Sequence, residues 1–316
     1  MADGRKAGVT SLSAAYREET MAKIGFIGLG NMGLPMAANL VKAGHAVAGF
    51  DLGRDNLERA SNRGVEAEHS AERAAKDADV VVTMLPAGRQ VLDVYTGGVL
   101  KAAKPGTLFI DSSTIDVTSA RAAHRLASQA DMAALDAPVS GGVSGAEAAT
   151  LTFMAGGAAA AFAQAKPILE SMGRRVIHCG EAGAGQAAKI CNNMMLGINM
   201  IGVSEAFTLA EKLGLSHQAL FDVAAASSGQ SWALTSYCPV PGLVPSSPAN
   251  NDYKAGFASA LMLKDLKLAQ EAAAAAGAST PLGAAAAQLF GLHNAWGEGG
   301  TDFSGIIHLI RGKGGQ

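Results

Sequence analysis

Lys189 and Asn193 stand four residues apart in the stretch GQAAKICNN at 185–193, so any helix formed here carries both on one face. A lysine and an amide sharing a face are unusual in a helix that is otherwise largely apolar. One reading runs the lysine stem along apolar surface and delivers its ammonium to water. The other gives Lys189 a proton to take up or return, and Asn193 a hydrogen bond that holds a substrate. A lysine acts as a base near neutrality only when burial or a neighbouring positive charge lowers its pKa. A second group lies in DAPVSGG at 136–142. There Ser140 offers a hydroxyl, and Gly141 and Gly142 offer successive backbone N–H groups to a carboxylate. An ordinary glycine turn would read the same way.

A third cluster calls for a phosphate ligand. In IGFIGLGNMG at 24–33, Gly28, Gly30 and Gly33 form a GxGxxG pattern, with Leu29, Asn31 and Met32 between them. It follows a β-like run and opens a helical one, the context in which the pattern binds a dinucleotide. The first glycine makes the tight turn, the second lets backbone approach a pyrophosphate, and the third packs helix on strand. The helix N-terminus supplies free N–H groups to the phosphates. Asp51, 18 residues beyond Gly33, ends the next strand, where a carboxylate accepts from ribose hydroxyls and repels a 2′-phosphate. That charge logic favours NAD over NADP, although Arg54 is either a solvated residue at a helix start or a clamp for that phosphate. Leu85-Pro86 and the DSST run at 111–114 close two further strands at the edge where open α/β sheets bind ligands.

These groups need elements to position them. From 23 to about 179, β-like runs at 23–27, 46–51, 80–84, 107–111, 133–136, 151–155 and 176–178 alternate with helical stretches such as 32–43 and 117–128. Several runs are continuously apolar, as in a parallel sheet covered on both faces. This predicts an N-terminal Rossmann-type doubly wound α/β domain over 22–183. Beyond 183 strand signals vanish, and helices are expected near 185–213, 216–226, 259–276 and 281–295, forming an all-α C-terminal domain over 184–316. The run 185–213 contains no proline, so it reads as one long interdomain helix. Prolines at 239, 241, 245 and 248 mark a loop excursion.

Composition narrows the function classes. The chain has 316 residues, 49% of them hydrophobic, enough for two cores. Its net charge of −2 and 16% charged residues give no reason to expect nucleic acid or a membrane surface. Three cysteines with no CxxC pair argue against a disulfide framework and a zinc site, so no metal is expected despite His178 beside Cys179. Residues 1–21 are expected to be a disordered leader ahead of Met21-Ala22-Lys23, either an upstream start or an added segment. They carry Asp3, Glu18 and Glu19 and lack an apolar core, which fits neither a secretory signal nor a mitochondrial presequence. A cytoplasmic enzyme is the resulting expectation.

The blocks GLGNMGLPMAANL at 28–40, DSSTID at 111–116, DAPVSGGVSGA at 136–146 and GQAAKICNNM at 185–194 together resemble the β-hydroxyacid dehydrogenase family. LTFMAGG at 151–157, SSGQSW at 227–232, YCPVPG at 237–242 and LMLKDLKLAQ at 261–270 extend the resemblance over 23–311. It implies that Lys189 is the catalytic acid/base and that Ser140, Gly141, Gly142 and Asn193 anchor the substrate. Leu85, Pro86, Thr114 and Lys264 match cofactor contacts, and Trp232 and Tyr237 stand where side chains close over the substrate. Gln90 departs from the pattern, falling where the family often has asparagine. The implied activity is NAD-dependent oxidation of a small β-hydroxy acid, foremost 3-hydroxyisobutyrate to methylmalonate semialdehyde in valine degradation, by a homodimer or homotetramer. Tartronate semialdehyde reduction and serine oxidation are sister activities, and a non-catalytic NAD-binding regulator is the rival from another class.

Overall fold

The computed structural model describes residues 21–312. The leader expected over 1–21 therefore lies outside the described residues, except for Met21. The chain divides into two compact units, one ending at Gln186 and the other beginning at Ala187.

In the N-terminal unit, β1 (Lys23–Ile27), β2 (Ala46–Phe50), β3 (Glu66–Ala67), β4 (Val80–Thr83), β5 (Leu108–Asp111) and β6 (Ala134–Asp136) lie in the order β3-β2-β1-β4-β5-β6, all parallel. Helices connect them: α1 (Gly33–Lys42), α2 (Arg54–Ser61), α3 (Ala71–Ala75), α4 (Gly88–Val94), α5 (Leu100–Ala102) and α6 (Val117–Gln129). Neighbouring residues of one strand enter different cores. Phe26, Val82 and Ile110 belong to one buried cluster, and Ile27, Val81 and Phe109 to another. Two-sided burial is why these strands read as continuous apolar runs instead of alternating ones.

The sheet departs from the all-parallel expectation beyond β6. After β7 (Val139–Ser140) and α7 (Gly142–Glu147), β8 (Leu151–Gly156) runs antiparallel to both β6 and β7. Following α8 (Ala159–Glu170), β9 (Gly173–Gly180) pairs parallel to β8. Residues 141–150, which include α7, reverse the chain in place of the crossover that another parallel strand would need.

The helix α9 (Ala184–Leu213) is a single element of 30 residues, about 45 Å long. It starts in the first unit and continues into the second. There α10 (His217–Ala225), α11 (Trp232–Thr235), α12 (Ser259–Ala276), α13 (Pro281–Ala295) and α14 (Ile306–Arg311) follow. The buried side of α9 recurs at Ile190, Asn193, Met200, Ser204 and Phe207, a helical stripe facing its own unit. Helix α12 buries Met262, Asp265, Leu266, Ala269 and Ala273 on a matching stripe. The only ladder contacts among the described residues of this unit are two isolated bridges, Lys254 to Thr301 and Ala258 to Asp302. No helix among the described residues is long and apolar enough to cross a membrane.

Candidate active site

The glycine turn between β1 and α1 has the form a pyrophosphate requires. Gly28 adopts φ +97°, and a Cβ there would run into the Met84 carbonyl oxygen. A Cβ on Gly33 would strike the Gly28 carbonyl oxygen, so only glycine lets α1 approach the turn this closely. Gly30 differs. No heavy atom lies within 4 Å of where its Cβ would stand, which leaves open space beside the backbone. Helix α1 begins without a side-chain cap and with no acidic residue in its first turn. Its N-terminal N–H groups thus remain suited to an anion. Leu29, Asn31 and Met32 complete this turn, and the residues fit a dinucleotide.

Asp51 sits at the end of β2 as expected, and its carboxylate also builds the turn. Oδ2 accepts from the Leu29 amide at 2.7 Å, while Oδ1 accepts from the Gly53 amide at 2.7 Å and Asn56 Nδ2 at 3.0 Å. A carboxylate has about four acceptor sites, so one remains for a ribose hydroxyl. Arg54 is the first residue of α2 and is exposed. Leu85 and Thr114 are half-buried, whereas Pro86 and Gln90 are exposed.

The edge at β4 and β5 is tied together by one buried carboxylate. Asp111 Oδ1 accepts from Thr83 Oγ1 at 2.7 Å and from Ser113 Oγ at 2.6 Å, and Ser113 Oγ accepts from the Leu85 amide at 2.8 Å. Asp111 Oδ2 is buried with no hydrogen-bond partner. Burial pushes the Asp111 carboxyl up to about 6, against the pull of its Ser113 and Thr83 donors. Asp136, at the end of β6, accepts from the Gly183 amide at 2.7 Å and the Gln186 amide at 2.8 Å, holding the start of α9. The Gln186 carboxamide donates to the Ser113 carbonyl and accepts from the Ile115 amide. Ser140 is half-buried at the end of β7, followed by Gly141 at φ +139° and Gly142 at φ +63°. Positive φ at both positions is the backbone conformation that favours glycine.

In the C-terminal unit, Lys189 is only 7% exposed, which removes the reading of a lysine reaching for water. Burial lowers its pKa, the Asp265 carboxylate raises it, and the Lys264 ammonium lowers it further. Asp265 is itself buried and its pKa is raised by burial, while Lys189 and Lys264 oppose that rise. Asn193 Nδ2 donates to Asp265 Oδ2 at 2.5 Å, and Asn193 Oδ1 accepts from Asn192 Nδ2 at 3.0 Å. Lys189, Asn193 and Lys264 therefore share a charged neighbourhood whose centre, Asp265, the sequence reading did not single out. Its signal was its place on the apolar stripe of α12, between Met262 and Leu266.

Trp232 and Tyr237 come together. Their rings stack with centroids 4.8 Å apart and an interplanar angle of 22°. Trp232 is half exposed, and Tyr237 Oη donates to Asp302 Oδ2 at 2.8 Å. Burial and that carboxylate push the Tyr237 hydroxyl up, so it remains a proton donor. Among the described residues no three His, Cys, Asp or Glu side chains gather as metal ligands.

Comparison with known proteins fits this geometry. A family described as the NAD binding domain of 6-phosphogluconate dehydrogenase matches residues 23–180. Another, described as NAD-binding of NADP-dependent 3-hydroxyisobutyrate dehydrogenase, matches residues 183–310. A probable 3-hydroxyisobutyrate dehydrogenase of Mycobacterium tuberculosis is 56% identical over 293 residues, covering 93% of this chain and 99% of the relative. The chain belongs to the 3-hydroxyisobutyrate dehydrogenase family. As a member it is an oxidoreductase, with NAD as its cofactor. A solved structure of the Mycobacterium tuberculosis 3-hydroxyisobutyrate dehydrogenase with L-serine superimposes with a TM-score of 0.90 at 56% identity, covering 93% of this chain and all of that one. An NAD-dependent L-serine dehydrogenase of Pseudomonas aeruginosa is 47% identical over 298 residues, covering 94% of this chain and 100% of the relative.

Proposed function

We propose that this member of the family oxidises 3-hydroxyisobutyrate to methylmalonate semialdehyde, with Lys189 as the acid/base. The observation that carries the proposal is the buried amine of Lys189, its pKa lowered by burial and by Lys264. Burial favours the neutral amine over the ammonium, against the pull of Asp265, and a neutral amine can accept the proton of the substrate hydroxyl. NAD, when bound, supplies the hydride acceptor. Asn193, fixed through its amide nitrogen by Asp265, holds the substrate. Ser140, Gly141 and Gly142 anchor its carboxylate through a hydroxyl and backbone N–H groups. Trp232 and Tyr237 offer an aromatic surface to the α-methyl group. Gly28, Gly30, Gly33 and Asp51 hold the dinucleotide, joined by Leu29, Asn31, Met32, Leu85, Pro86, Gln90, Thr114 and Lys264. Asp51 selects NAD over NADP.

Residues 22–183 serve the cofactor, and 184–316 serve substrate binding and self-assembly, as a homodimer or homotetramer. Exposed large hydrophobic residues support the assembly role, since among the described residues all but Met21, Leu52, Val143 and Ile177 lie beyond 186. Serine oxidation is the second reading, favoured by the 47% identical serine dehydrogenase. The one carboxylate described at this site, Asp265, is already engaged by Asn193, Lys189 and Lys264, so the desolvation of a substrate ammonium would have no acid of its own to offset it. The test measures NADH formation with 3-hydroxyisobutyrate, glycerate, serine and 6-phosphogluconate. The highest kcat/KM is expected for 3-hydroxyisobutyrate. A lead of tenfold or more by serine or glycerate overturns the named substrate.

A further inference from the structure

The C-terminal unit holds one buried carboxylate that gathers three separate segments. Asp302 is fully buried. Its Oδ2 accepts from Tyr237 Oη at 2.8 Å and from the Gly256 and Phe257 amides at 3.0 Å each. Its Oδ1 accepts from the Ser304 amide at 3.0 Å and Ser304 Oγ at 2.7 Å. Five donors on one carboxylate leave it little freedom, and each is lost or strained if the acid is replaced.

The rings beside it form a ladder from core to surface. Phe257 packs edge-on against Phe303 at 5.7 Å, Phe303 stacks on Tyr237 at 5.3 Å, and Tyr237 stacks on Trp232 at 4.8 Å. Phe303 is 1% exposed and Trp232 is 52% exposed, so the ladder begins in the core and presents an indole face outside it. Stacking alone leaves a ring free to slide and rotate in its plane, because offset geometries are close in energy. The hydrogen bond from Tyr237 Oη removes that freedom at the middle rung.

We infer that Asp302 is a positioning residue for substrate selection: by holding Tyr237 it sets the indole face of Trp232 against which the branch of the substrate packs. The inference rests on the reading that Trp232 and Tyr237 meet the substrate. A methyl branch in an apolar subsite is worth about 10–200-fold in kcat/KM, and a loosely held wall forfeits part of it.

Three variants of the full chain test it: Tyr237→Phe, Asp302→Asn and the double. Tyr237→Phe keeps the ring and the other four donors to Asp302, so it serves if Asp302→Asn does not fold. Kinetics are read at a temperature where each variant is folded, with NAD saturating. The preference for 3-hydroxyisobutyrate over glycerate is expected to fall by about 5–10-fold in each single variant, through KM more than kcat. The kinetic pKa should stay at its wild-type value. The double variant should lose no more than Asp302→Asn alone, since both act through one bond. Near-UV circular dichroism in a Trp296→Phe background should show the stacked Trp232 signal weakened in each. An unchanged preference in folded Tyr237→Phe, or additive losses in the double, overturns the role of Asp302. A wild-type enzyme that oxidises none of these acids overturns instead the reading on which it rests.

Discussion

Replacing Asp111 with Asn isolates the cost of a buried, half-satisfied carboxyl. Asp111 is 3% exposed; its Oδ1 accepts from Thr83 and Ser113, while Oδ2 has no partner. Burial raises its pKa from the ordinary 3.8 to about 6. Because the folded pKa lies above the unfolded one, the unfolded chain gives up this proton first. Stability from this group is therefore fully present below about pH 4 and is lost as the pH rises towards 6. The gap is worth about 3 kcal/mol. The carboxamide in Asp111→Asn has no proton to lose, and its carbonyl can replace Oδ1. Any fixed cost of placing an amide nitrogen where Oδ2 stood is independent of pH. The stability of wild type relative to Asp111→Asn should thus decline by about 2 kcal/mol between pH 4 and pH 7, most of the full gap. Trp232 and Trp296 both lie in the C-terminal unit, so tryptophan fluorescence would miss the effect. Hydrogen exchange at the β4 and β5 amides, corrected for intrinsic rates, reads opening free energies where Asp111 sits. Parallel pH dependences in the two proteins would refute the reasoning.

The neighbours of Lys189 make opposite predictions. Asp265 favours its ammonium form, so Asp265→Asn should shift the rising limb of kcat/KM to lower pH. Lys264 disfavours that form, and Lys264→Met should shift the limb to higher pH; pH profiles for 3-hydroxyisobutyrate oxidation check both signs. Asp51→Ala should narrow the preference for NAD over NADP, measured as the ratio of kcat/KM values. It should also cost about 1–3 kcal/mol in stability, because the donors of Leu29, Gly53 and Asn56 lose their acceptor.

Much of this was legible where local chemistry decides structure. The glycines at 28, 30 and 33 were legible in the first turn: Gly28 and Gly33 each answer a steric demand, and Gly30 leaves open space beside the backbone. The long proline-free run at 185–213 became a single helix, Ala184–Leu213. Expected helices at 259–276 and 281–295 match α12 and α13 to the residue, with Gly277 in the left-handed conformation at the end of α12. Strand direction was not legible. Leu151–Gly156 is as apolar as the parallel strands, and its antiparallel course follows from the reversal before it and from its partners. The two-residue strands β3 and β7 carry too few side chains for any periodicity. Asp265 and Asp302 escaped for a different reason. A buried acid is recognised by the donors that surround it, and those come from residues 72 and 65 positions away in the chain.

The central claim is that Lys189 moves the proton of the reaction, and chemical rescue of Lys189→Ala tests it most directly. Turnover should fall by about 10²–10⁴-fold while NAD binding, followed by titration, is retained. Methylamine or ammonia should then restore part of the rate in proportion to the free-base concentration. Lys189→Arg should remain inactive, since guanidinium keeps its proton at working pH. Near-normal turnover in Lys189→Ala or Lys189→Arg would contradict the account.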